Sequence, residues 1–139
     1  MKLGSYFIVL AFVMAAGAGC SKKSDSPAIL GKWHIIKDST LEGIGPNPQL
    51  TVYIGHATDI WDFRADGKVY MQKAGSWPEV EPYTLYSANT IAIGNFGWVI
   101  NGSQTISSLQ RSVAGEMIIR SSAFAPPGGT LQRVVYLKR

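Results

Sequence analysis

From Ile29 onward, apolar residues alternate with polar ones in short runs, and Gly, Pro, Asn and Asp break the runs. No apolar stripe of 3.6-residue period extends over the length of a helix. Alternation of period two places successive side chains on opposite faces of an extended chain, the mark of strands with one buried face. The runs predict strands at Leu30–Lys37, Leu50–Ile54, Asp59–Arg64, Lys68–Lys73, Pro82–Ser87, Thr90–Ile93, Gly97–Ile100, Gln104–Ser108, Glu116–Ser121 and Leu131–Lys138. About ten short strands at this spacing specify an all-β sandwich or barrel. There is no internal repeat and no sign of a second domain, so residues 29–139 are expected to form one antiparallel β domain.

One hairpin can be read to the residue. Asp59–Arg64 and Lys68–Gln72 flank Ala65-Asp66-Gly67. A two-residue loop at Asp66-Gly67 would set Trp61 opposite Gln72 and Asp62 opposite Met71, mixing apolar with polar on both faces. A three-residue loop, with Gly67 in a left-handed bulge position, sets Phe63 opposite Val69 and Trp61 opposite Met71. Side chains alternate strictly, so only the second register gives a clean apolar face, and it is the one expected. Asn101-Gly102 marks a second tight turn.

The first twenty residues follow a different pattern. Lys2 precedes an apolar run, Tyr6–Met14, then the small residues Ala15–Gly19 and the chain's single cysteine, Cys20. A basic start, an apolar centre and a small-residue stretch compose a secretory signal, and Leu3–Gly19 is short of the ~20 apolar residues that span a bilayer. Small residues ending at the one cysteine resemble a bacterial lipoprotein signal, in which that cysteine is lipidated and begins the mature chain. This implies a signal peptide over 1–19 and a lipidated tether over 20–28, where Ser21–Pro27 is polar and without periodicity. The expected location is the cell envelope, anchored by lipid to the outer membrane. Lys22 and Lys23, where exported lipoproteins of some bacteria carry acids, favour its periplasmic face.

Three signals then stand in order: Leu30-Gly31-Lys32-Trp33 opens the domain, Trp61–Gly67 forms the central hairpin with Asp66 and Gly67 at its turn, and Leu137-Lys138-Arg139 ends the sequence. This order resembles the lipocalin-like domains of small bacterial envelope lipoproteins, and Gly31-Lys32-Trp33 is similar to the Gly-x-Trp of lipocalins at large. The resemblance covers Ile29–Arg139. It implies a small antiparallel up-and-down barrel of about eight to ten short strands, without the C-terminal helix of larger lipocalins. It also implies that Trp33 closes one barrel end against a basic side chain, Arg139 or Lys138, stacked on the indole.

Composition narrows the chemistry. A hydrophobic share of 46% excludes a disordered chain, and the formal charge of +4 is spread along the sequence, which gives no footing to nucleic acid. A lone cysteine and two histidines leave little for metal or His-based catalysis. His56, Asp59 and Asp62 recur every three residues, but on a strand Asp59 and Asp62 point to opposite faces, so a solvated loop leading into a strand is the expectation. Glu79 and Glu81 share a face if extended, yet Pro78 and Pro82 bracket them in what reads as a surface loop, with no apolar pocket to raise a carboxyl pKa. Gly75-Ser76-Trp77 lacks the second glycine of a nucleophile elbow. Neither an enzyme nor a cofactor or metal site is expected.

The aromatics Trp77, Tyr83, Tyr86, Phe96 and Trp98 fit core packing, barrel-end plugs or a pocket mouth. The expected function is that of a lipid-anchored barrel binding or carrying a small apolar molecule against Trp61, Phe63, Val69, Met71 and Trp98. The alternative is a non-catalytic interaction module contacting an envelope protein or polysaccharide.

Overall fold

The computed structural model describes residues 29–45, 47–96, 105–123 and 129–139. The expected signal peptide, Cys20, the expected tether, the strand expected at Gly97–Ile100, Trp98 and the turn expected at Asn101-Gly102 lie outside them. The described residues form nine strands and no helix: β1 Gly31–Ile44, β2 Gln49–Ile54, β3 Ile60–Phe63, β4 Lys68–Gln72, β5 Glu79–Ser87, β6 Thr90–Ile93, β7 Ile106–Arg111, β8 Glu116–Ser121 and β9 Gly129–Lys138. All neighbours are antiparallel. The sheet runs β2-β1-β3-β4-β5-β6-β7-β8-β9, and β9 returns to pair with β1. Eight strands therefore close a small barrel, with β2 as one extra strand on the upper half of β1.

The length of β1 explains this arrangement. Its first residues, Gly31–His34, pair with β3, while Lys37–Glu42 pair with β2 on the same edge. Between Ile35 and Lys37 the register against β9 slips by one residue. Such a bulge turns over the alternation of everything that follows. Trp33 and Ile35 face inward below it; Asp38, Thr40 and Glu42 face inward above it. The strand expected to end at Lys37 thus continues to Ile44.

Two other expectations are corrected. Glu79 and Glu81 stand in β5, opposite Met71 and Val69 of β4, and not in a loop. Pro82 is tolerated in the strand because its carbonyl still accepts from Gly94 N (2.9 Å) and its missing N–H falls one residue beyond the β6 ladder, where it costs a single terminal bond. β7 starts two residues and ends three residues later than expected, since Ser112–Gly115 forms the turn to β8.

The central hairpin has the three-residue loop. Trp61 pairs with Met71, Asp62 with Tyr70 and Phe63 with Val69, and Gly67 has φ of 76°. Trp61, Phe63 and Val69 consequently enter one core with Trp33, Ile35, Ile91, Leu109, Met117, Ile119, Val135 and Leu137. Each aliphatic side chain removed from water here contributes about 1.5–3 kcal/mol. At the lower end, where the chain enters, Trp33 Nε1 donates to Ile29 O (2.7 Å) and the Arg139 guanidinium lies 4.2 Å from the Trp33 ring centre. The lower half of the barrel is filled by side chains.

Candidate functional site: the polar mouth of the barrel

The upper half is built differently. A cavity of about 410 Å3 opens there, walled by Asp38, Thr40 and Glu42 of β1, Thr51 and Tyr53 of β2, Ser121 of β8, and Leu131 and Arg133 of β9, with Lys73 and Asn95 reaching in from turns. A side chamber of about 150 Å3 shares Lys73 and Arg133 with it and adds Trp61, Met71, Ser76, Trp77 and Glu79.

Asp38 organises the mouth. It is 5% exposed, and Arg133 binds it in a fork, Nε to Oδ1 at 3.0 Å and Nη2 to Oδ2 at 2.7 Å. Lys73 Nζ donates to the same Oδ2 at 2.5 Å. Burial alone would push the Asp38 carboxyl upward, but the hydrogen bonds and charges of Arg133 and Lys73 outweigh it and hold the group below the ordinary carboxylate range. The Arg133 guanidinium lies 5.0 Å from the Phe96 ring centre, and Phe96 meets Trp61 edge-on at 5.7 Å. Arg133 therefore forms the floor of the mouth, charged above and stacked on the core below.

Asp59 is a second hub, and its place corrects the expectation of a solvated loop. It is fully buried, accepts from Tyr53 Oη (2.7 Å), His56 N (2.6 Å) and Ala74 N (2.6 Å), and so ties β2, the crossover to β3 and the turn after β4 together. Burial raises its pKa, and these three donors overcome that and leave it lowered. The Tyr53 phenol is raised correspondingly, first by its hydrogen bond to Asp59. Asp62 faces the other way, as alternation requires, and pairs with Arg64 at 2.9 Å.

Both hub carboxylates are ionised near neutrality and have their oxygens occupied by donors. Neither is placed to deliver or take a proton from a guest, so this geometry suits holding a molecule more than transforming one. Glu81 is likewise engaged, accepting from Asn95 Nδ2 at 2.7 Å.

The residues expected to bind a ligand separate into two groups. Trp61 and Met71 line the side chamber, whereas Phe63 and Val69 are packed in the filled core. Trp77, beside Pro78, stands almost fully exposed at 89% on the rim of that chamber. Trp61 Nε1 is buried and has no acceptor among the described residues. Asp38, Tyr53, Lys73 and Arg133 were not anticipated. One signal for them was legible: Arg133 stands in phase with Leu131, Val135 and Leu137, a charge on the inward face of a strand. No family model matches the chain, and no curated protein matches it.

Proposed function

We propose that this chain is a lipid-anchored envelope protein, a lipocalin-like barrel without catalytic activity, that holds a small uncharged amphipathic molecule in its mouth. The observation that carries the reading is the division of the barrel interior. The interior of the lower half is filled by side chains, with an open depression of about 400 Å3 outside it against Trp33 and Arg139, while the upper half keeps two neighbouring spaces that share Lys73 and Arg133. Met71 and Trp77 offer apolar contact for one side of a guest, beside the polar groups of Ser76 and Glu79. Tyr53, Asn95, Lys73 and Arg133 offer hydrogen-bonding groups for the other. A pocket of this size with few convergent polar groups is the usual make-up of a small-molecule site. Because Asp38 already neutralises one of the two cations and Glu42 and Glu79 stand on the walls, a net anionic guest gains little, and affinity should change little with salt.

The test is equilibrium binding to the full chain of quinone-like compounds, sterols, fatty acids and alkyl glycosides, followed by tryptophan fluorescence. Saturable binding by an uncharged amphiphile, weakened about tenfold or more by Met71→Trp, which fills the chamber, supports the reading. No response from any of them overturns it. Anchoring is tested separately by intact mass of the membrane-bound protein, since two or three acyl chains on Cys20 are needed for stable attachment. An unmodified thiol at Cys20 would remove the anchor from the proposal.

A further inference from the structure

We propose that β2 is the edge through which two copies of this chain join, antiparallel about a two-fold axis at Val52. Among the described residues, β2 is the end strand of the sheet and pairs with β1 alone. In its ladder Lys37 faces Ile54 and Leu41 faces Leu50, and just beyond it Gly55 N donates to Ile36 O at 3.1 Å. In an antiparallel pair, alternate residues turn both N–H and C=O toward the partner strand. Gly55, Tyr53, Thr51 and Gln49 therefore turn theirs to β1. Leu50, Val52 and Ile54 turn theirs to the open edge.

The side chains of the same three residues project from the outer face, 61%, 43% and 65% exposed. Edge strands are commonly protected from pairing by lysine, proline or an inward charge. β2 has none of these, and no charged residue stands between Pro48 and Gly55. A second copy of this strand fits it in one register. Pairing Val52 with Val52 and Leu50 with Ile54 of the second copy makes every edge N–H meet a carbonyl and every outward side chain meet an apolar one. A one-residue slip sets outward side chains against inward ones and hydrogen-bonding residues against non-bonding ones. A two-residue slip brings Pro48, which has no N–H, opposite Ile54 in one direction, and in the other pairs Leu50 beyond the strand. The absence of charge means that self-pairing sets no like charges opposite one another, the usual obstacle to joining identical edges. It also sets Tyr53 of the second copy beside Thr51, so the second copy would extend the wall of the mouth.

A pairing of five residues from each copy, Leu50–Ile54, is at the small end of specific interfaces, and a dissociation constant in the micromolar range, about 1–100 μM, is expected. The experiment is sedimentation equilibrium of the full chain in non-ionic detergent, with Val52→Lys and Val52→Glu. Val52 lies outside the core, so both variants retain the barrel. The wild type should pass from one to two copies with concentration. Each variant alone sets like charges face to face at the axis and should bind itself about 100-fold more weakly or less. An equimolar mixture of the two should regain a dimer, because opposite charges then meet. In the wild type, amide exchange at Leu50, Val52 and Ile54 should slow as concentration rises, a readout that needs no variant. A wild type monomeric throughout, a variant that associates as well as the wild type, or a mixture that stays monomeric overturns the proposal.

Discussion

The guanidinium of Arg139 lies over the indole of Trp33, 4.2 Å from its centre, so that the end of β9 covers the first aromatic of β1. Arg139 is tied down on both sides, its Nη2 donating to Leu30 O and its backbone N to Gly115 O. The cation roofs the packed end of the barrel. Trp33→Ala should destabilise the domain by about 3–5 kcal/mol, the cost of emptying an aromatic core site. Arg139→Ala, which leaves the indole in place but unroofed, should cost about 1 kcal/mol. Denaturant titration of both variants decides this, and a loss under about 1 kcal/mol for Trp33→Ala would mean that this end does not hold the barrel together.

At the opposite end, the ion cluster should behave as a unit. Asp38→Asn leaves Arg133 and Lys73 half-buried without their counter-charge, and should cost about 2–4 kcal/mol. Replacing all three together, by Asp38→Leu, Lys73→Met and Arg133→Met, removes the unpaired charges and should recover most of that loss. If the triple variant is no more stable than Asp38→Asn, the cluster is not an interacting set and the single change acts by some other route.

Acid should find the same two hubs. Asp38 and Asp59 both titrate lower in the folded chain than in the unfolded one, whose carboxyls lose their protons near pH 3.9. A carboxyl with a depressed folded pKa contributes stability that is fully present above the unfolded value and is lost as pH falls through the folded value. The denaturation midpoint should therefore hold steady from about pH 7 to about pH 5 and drop below about pH 4. In Asp59→Asn the drop should be shallower, because one of the linked protons is gone. An acid limb as steep as that of the wild type would show that Asp59 is protonated alike in both states.

How far these features could be read from residues alone depended on how local their causes are. The Trp61–Met71 hairpin was legible because its two candidate loops put opposite sets of residues on the apolar face, and parity chose between them. A cation over Trp33 was legible only through the resemblance to lipocalins, which implied Arg139 or Lys138 there, and it is Arg139 that takes the place. The mouth was hidden for two reasons. The bulge after Ile35 reverses the phase of β1, so that Asp38, Thr40 and Glu42 read as outward from the pattern below it. The partner that makes Asp38 a hub, Arg133, is 95 residues distant, and no local pattern announces that meeting. Pro78 and Pro82 likewise disguised the start of β5, since proline counts against a strand unless its missing N–H falls where a ladder has already ended.

Gly55 allows the sharpest test of that bulge. A Cβ built there would lie 1.7 Å from Ile35 O and 2.5 Å from its carbonyl carbon, far inside any contact. Both neighbours are main chain, so no side chain can rotate away. The closeness is what lets Gly55 N reach Ile36 O and Asp59 O receive Ile35 N, each at 3.1 Å, across the point where β1 leaves β3 for β2. Gly55→Ala must part these segments, break both bonds and pull Asp59 from Tyr53. A loss of about 3 kcal/mol or more is expected, at the upper end of what added core volume costs. Gly75→Ala is the control. Gly75 has φ of 76° but nothing within 4 Å of its Cβ position, so its cost is conformational alone, about 1 kcal/mol. The two variants, compared by denaturant titration, separate a clash from a backbone preference. Equal losses would mean that β2 and β1 do not cross as closely as this geometry requires, and the inward turn of Asp38 would lose its explanation.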